Sequence, residues 1–92
     1  MCKAELIIHA KVGLHARPAA SFVKTANSFK STINARNLTA RRGPANAKSI
    51  LSLLTLGVEQ NHAVEVMAEG VDEAEAVAAL CRLVESNFGE ME

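Results

Sequence analysis

Apolar and polar residues alternate along 4–10, AELIIHA, with Leu6, Ile8 and Ala10 on one face and Glu5, Ile7 and His9 on the other. A period of two predicts a strand, and the KVG that follows predicts a turn. From Ala16 the period lengthens. Ala19, Phe22, Val23 and Ala26 stand at i, i+3, i+4 and i+7, and Phe29 extends the stripe, as the buried face of a helix requires. Pro18 suits the first turn, where its missing N–H forfeits no intrahelical bond, so it fixes the helix start and leaves His15 at or beside the N-cap. STINAR (31–36) and LTARR (38–42) are β-prone and separated by Asn37, which predicts a hairpin. GPAN (43–46) predicts a turn, with Asn46 as N-cap of an apolar helix over 47–57 that Gly57 ends in the left-handed conformation. In that helix Ile50, Leu53 and Leu56 satisfy the core. Leu51 and Leu54 are then free to face outward, although a helix this apolar could bury them too.

HAVEVMA (62–68) alternates again, with Val64, Val66 and Ala68 pointing one way. The last segment carries a helical stripe of Ala74, Val77, Leu80, Cys81, Val84 and Phe88, and Asp72 followed by Glu75 predicts a capping box. The element order β-α-β-β-α-β-α, with one apolar face per strand, predicts an α+β fold: a largely antiparallel sheet with helices packed on one side. No linker or repeat divides the chain, so residues 1–92 are expected to form a single domain.

Composition narrows the class. Trp and Tyr are absent and Phe occurs three times, so the core must be built from Leu, Ile, Val and Ala. No apolar run approaches the roughly 20 residues of a membrane span, and no segment reads as a signal peptide. The expectation is a cytoplasmic protein with Cys2 and Cys81 reduced. The formal net charge of zero conceals a split: residues 1–48 hold nine Lys/Arg against Glu5 alone, and residues 49–92 hold Arg82 against nine acids. That split either orients a charged partner or lets each half solvate itself. His9, His62, Cys2 and Cys81 lack metal-ligand spacing. No Walker or G-x-G-x-x-G pattern is present, and Arg41–Arg42 has no interleaved aromatics. No metal, cofactor, nucleic acid or membrane partner is expected, and the protein is expected to be a monomer.

The chemistry is expected at GLHARPAA (13–20). The first amides of a helix have no intrahelical acceptor and lie at the positive end of the dipole, so they attract an anion, phosphate above all. Gly13 is expected to let the loop approach closely, and Ala16 to leave the amides unshielded. Arg17 adds a planar cation matched to phosphate oxygens. His15 stands beside this cradle as a nucleophile, and the dipole disfavours a second proton on its ring. The residues alone leave open a plain capping or surface histidine.

GLHARPAASFVKTA, together with KSILSLLTLG and GVDEAEAVAAL, resembles the HPr family of phosphocarrier proteins of the phosphoenolpyruvate-dependent phosphotransferase system, along essentially the whole chain. The resemblance implies an open-faced sandwich, a four-stranded antiparallel sheet with three helices on one face. It implies that His15 accepts a phosphoryl group on Nδ1 from phospho-Enzyme I and passes it to an EIIA-type acceptor, with Arg17 and the amide of Ala16 holding the phosphate. The protein is then a component of a transferase system serving sugar uptake or its regulation, and not an independent enzyme. Ser49 falls on the serine that a dedicated HPr kinase/phosphorylase modifies in some members. Ala20, Lys24, Lys48, Leu51 and Leu54 form the expected partner surface. The stretch NARNLTARRGPANAKS is a few residues longer than in typical sugar-branch members and leans toward the nitrogen-branch paralogue. The alternative function is therefore a regulatory module whose phosphorylation tunes binding to a partner such as a transcriptional regulator.

Overall fold

The computed structural model describes residues 1–90. Strand β1 (Cys2–Ile7) leads to helix α1 (Ala16–Asn27), strands β2 (Thr32–Asn37) and β3 (Arg42–Asn46), helix α2 (Ile50–Leu54), strand β4 (Ala63–Glu69) and helix α3 (Glu73–Glu85). The sheet is antiparallel throughout in the order β1-β4-β2-β3, and the helices cover one face. Among the described residues no helix is long and apolar enough to cross a membrane.

Alternation decides which face is covered. Leu6 of β1, Ile33 and Ala35 of β2, Ala45 of β3, and Val64, Val66 and Ala68 of β4 point inward and are buried. They meet Ala19, Phe22 and Ala26 of α1, Leu53 of α2, and Ala76, Val77, Leu80 and Val84 of α3. Without Trp or Tyr the core is aliphatic around the fully buried Phe22 ring; burying a side chain of this size contributes about 1.5–3 kcal/mol. The outer face is polar. Because β4 lies between β1 and β2, the acidic and basic halves interleave there: Glu65 stands opposite Arg36, whose Nη2 lies 3.0 Å from Glu65 Oε1. On the sheet, then, the charge split is absorbed within the fold.

Several local expectations are corrected. The second strand of the hairpin runs through 42–46, where a turn was expected, and includes the cis peptide Gly43–Pro44. A proline is tolerable there because β3 is an edge strand with an unpaired side. The hairpin turn instead occupies 38–41, because Asn37 is buried and its Oδ1 accepts from the Ala40 amide. Helix α2 covers 50–54 and not 47–57, its end tightened by i→i−3 bonds at Thr55, Leu56 and Gly57. Its N-cap is Ser49, not Asn46, whose side chain accepts from the Lys48 amide one turn earlier. Gly57 does adopt the left-handed conformation, with φ 58°. Ile50 faces out, and Ala47 takes its place in the core. Finally, α3 begins without the Asp72–Glu75 box, Ala74 is exposed where Ala76 is buried, and Phe88 reaches the core through a left-handed turn at 87–89 and not along the helix.

Candidate functional site

His15 is the N-cap residue of α1, with extended backbone at φ −131° and ψ 170°, and its side chain makes no capping hydrogen bond. That removes the capping reading and leaves the ring available for chemistry. The next residue, Ala16, has φ 51°, a left-handed conformation that costs an L-residue about 1–2 kcal/mol. Something must therefore hold this corner in place, and two loops do so. Leu14 N donates to Val58 O at 3.0 Å, Asn61 N to Ile8 O at 2.6 Å, and Ile8 N to His62 O at 3.1 Å. Gln60 Nε2 donates to His9 O at 3.2 Å. The segment leaving β1 is thus stitched to the segment entering β4. Gly13 serves this seam and not the anion: at φ +69°, a Cβ there would lie 2.2 Å from Val58 O.

The amides of Ala16 and Arg17 head the helix, beyond any intrahelical carbonyl. Neither donates to a backbone carbonyl elsewhere among the described residues. Arg17 is exposed and has no carboxylate partner among them. With Ala16, Pro18, Val12 and Phe88 it borders an open, mostly apolar hollow of about 440 Å³. The imidazole side chain is 34% exposed, and its Nε2 lies 3.4 Å from Glu59 Oε2, at ion-pair distance. Nδ1 has no protein partner among the described residues. An imidazole that caps nothing, open amides and an unpaired guanidinium at one corner can hold and transfer a phosphoryl group, a reaction in which positioning and charge stabilisation do most of the work.

Ala16, Ala20 and Lys24 share the exposed side of α1, as their spacing predicts. Leu51 is 80% exposed, Ile50 41% and Leu54 37%. Helices α1 and α2, which carry these exposed residues, are in contact. Lys48 Nζ donates to Phe29 O at 2.7 Å, just beyond the C-terminal end of α1. Ser49 caps α2, its hydroxyl accepting from Ser52 N at 3.3 Å. No group of three His, Cys, Asp or Glu that could hold a metal occurs among the described residues. Cys2 and Cys81 are free thiols, and burial raises the pKa of both.

Two features escaped the sequence reading. Glu59 is one, since nothing local relates it to His15. The other is His62, whose spacing shows only that it is no metal ligand. Its Nδ1 lies 3.1 Å from Asn37 Nδ2 and accepts from the Glu59 amide at 3.1 Å. Asn37 Nδ2 also donates to Leu56 O at 2.9 Å. With Oδ1 taken by the Ala40 amide, the orientation of the Asn37 amide is fixed. His62 Nδ1 therefore faces two N–H donors and must be an acceptor, so the ring proton sits on Nε2.

The PTS HPr component phosphorylation-site family matches residues 2–86. The chain is 38% identical to the phosphocarrier protein HPr of Mycoplasma pneumoniae, covering 95% of this chain and 97% of that one. It is 34% identical to the multiphosphoryl transfer protein of Escherichia coli O157:H7, covering 95% of this chain but 23% of that one. Among solved structures, HPr-C-His from Thermoanaerobacter tengcongensis superposes with a TM-score of 0.92 at 47% identity, each chain covered in full.

Proposed function

The chain belongs to the HPr family of phosphocarriers of the phosphotransferase system, and on that premise we propose that His15 Nδ1 is the atom that carries the phosphoryl group. The observation that supports this is the corner at 15–17: an imidazole that caps nothing, beside two open amides and an unpaired arginine. The donor is phospho-Enzyme I and the recipient an EIIA-type acceptor. Both dock on the surface of Ala20, Lys24, Leu51 and Leu54, whose exposed apolar centre excludes water from the transferring group while Arg17 and Lys24 steer an acidic partner. The protein acts in the cytoplasm, as one domain and as a monomer.

The transfer needs no proton from elsewhere. The Nδ1 lone pair forms a bond to phosphorus as the donor's bond to phosphorus breaks, and the donor keeps that electron pair. The Ala16 and Arg17 amides and the Arg17 guanidinium then hold the phosphoryl oxygens. Passing the group on reverses these steps. Ser49 is a regulatory site on the same reading: a phosphate there adds about two negative charges beside Leu51 and opposes docking of an acidic partner.

The deciding experiment is incubation with Enzyme I and phosphoenolpyruvate, followed by intact mass. Wild type gains one acid-labile phosphate and His15→Ala gains none. Equal uptake by both proteins refutes the assignment. For Ser49, an acid-stable phosphate formed with ATP and the cognate kinase in wild type, and lost in Ser49→Ala, supports regulation; its absence from both removes it.

A further inference from the structure

Glu59 lies on the segment between α2 and β4, exposed to solvent, yet its Oε2 stands 3.4 Å from His15 Nε2. This placement is built. The Glu59 amide donates to His62 Nδ1, and the Glu59 carbonyl accepts from the His62 amide, both at 3.1 Å. His62 is itself fixed by Asn37, which is buried in the hairpin and satisfied at every polar atom. On the other side, Gly13 packs against the Val58–Glu59 backbone and Leu14 N donates to Val58 O. Glu59 and His15 therefore face each other across one seam, closed by the Leu14–Val58 backbone bond just before both and by the Ile8 bonds to Asn61 and His62 beyond Glu59.

We infer that Glu59 is a positioning residue for phosphoryl transfer at His15, holding the ring proton on Nε2 so that the Nδ1 lone pair is presented to the incoming phosphorus. The inference rests on the phosphocarrier reading of His15. A carboxylate at this nitrogen favours the tautomer with Nε2–H, because the alternative turns a lone pair toward negative charge. The same carboxylate acts during the reaction. As the Nδ1–P bond forms and the donor keeps its electron pair, the ring retains its Nε2 proton and acquires positive charge. Glu59 offsets that charge with no proton moving. When the group is passed on, the N–P electron pair returns to Nδ1 and the ring is again neutral. A separation of 3.4 Å in the free protein is consistent with this role, since such contacts tighten when the partner docks and water leaves.

The test uses the full chain with Glu59→Ala and Glu59→Gln. The Gln side chain keeps an oxygen that accepts from Nε2–H but removes the charge. Two measurements are made: the His15 ring nitrogen chemical shifts by nitrogen-15 NMR in mildly alkaline buffer, and the steady-state kinetics of phosphorylation by Enzyme I. In wild type and Glu59→Gln the His15 ring shows predominantly Nε2–H, and in Glu59→Ala the two tautomers become mixed. Both variants lose roughly three- to tenfold in kcat with KM nearly unchanged, Glu59→Ala losing more. An unchanged tautomer and unchanged kcat in Glu59→Ala overturn the inference. A raised KM with unchanged kcat also overturns it, because Glu59 is then a docking contact. If wild type accepts no phosphate at all, the phosphocarrier reading of His15 falls and the catalytic claim for Glu59 falls with it. Even then the NMR comparison separately decides whether Glu59 sets the tautomer.

Discussion

Helix α1 starts at His15 with no side chain closing its first turn, whereas α3 starts at Asp72 with both carboxylate oxygens engaged. Asp72 Oδ1 accepts from the Ser31 amide and hydroxyl, and Oδ2 from the Lys30 amide. One residue on, Glu73 accepts from the Gly70 amide through Oε1 and meets the N-terminal ammonium at 3.0 Å through Oε2. Both starts lie at the positive end of a helix dipole, where the first amides have no intrahelical acceptor. At α3 the groups of the first turn are engaged: the Glu73 amide donates to Gly70 O, and the Asp72 and Glu73 carboxylates tie the helix to the turn between α1 and β2 and to the start of β1. At α1 they are left open, and Ala16 is held in a left-handed conformation by a seam of backbone bonds. One helix end stabilises the fold, and the other is kept available by stabilisation supplied elsewhere.

The largest test of that contrast is His15→Ala. Acid-labile phosphate uptake falls to nothing while the melting temperature stays within about 2 °C of wild type, because no capping bond is lost. A fall as large as a lost cap produces would show that His15 also holds the helix, and would break the comparison. Next is Gly13→Ala, which places a Cβ 2.2 Å from a backbone oxygen at a position with φ +69°. Urea unfolding should show a loss of about 3 kcal/mol, and phosphorylation should slow as the seam shifts. A stable, fully active variant would show that the seam does not hold the corner. Arg17→Ala is the converse: single-turnover phosphorylation slows by about tenfold with stability unchanged.

The smallest effect concerns the other helix. The Ser31 hydroxyl, followed by the Lys30 amide, holds the Asp72 carboxyl below its ordinary range. A lowered folded pKa means that this group stabilises the protein above its unfolded pKa, about 3.9. That contribution is lost as the pH falls through the folded value. Asp72→Asn should lower the melting temperature at neutral pH and flatten its decline in acid, with phosphate uptake unchanged. A residual acid slope remains, since Glu73 is likewise lowered, by the N-terminal ammonium first. An acid limb identical in wild type and variant would remove Asp72 from the comparison.

Much of this was legible in the residues. The alternation of Leu6, Ile8 and Ala10 and of Val64, Val66 and Ala68 assigned the residues that point inward, although β1 ends at Ile7 and Ile8 and Ala10 are buried in the segment beyond it, and the stripe from Ala19 to Ala26 assigned the buried face of α1. The same stripe with Pro18 placed His15 at the helix start. The errors share a cause. Asp72 reads as a cap and Asn37 as a turn residue because both types bond locally by habit. Here Asp72 is used over a long distance by Ser31, and Asn37, besides its turn bond to Ala40, by Leu56 and His62. Pro44 reads as a turn because the sequence does not reveal that its strand lies at the sheet edge.

Neighbouring residues set the period of each element, the face it buries, and the position of a histidine and an arginine around the start of one helix. These are properties of neighbouring residues, and local sterics and apolar patterning settle them. What stands opposite each residue follows from how the strands pair. Strand β1 pairs with β4 so that Ile7 faces Ala63, which brings the chain leaving one strand against the chain entering the other. That pairing puts Glu59 beside His15, closes Gly13 onto Val58, and makes His62 part of the scaffold. Contacts between segments so distant along the chain depend on strand order, which the burial of the whole sheet selects and no local pattern encodes.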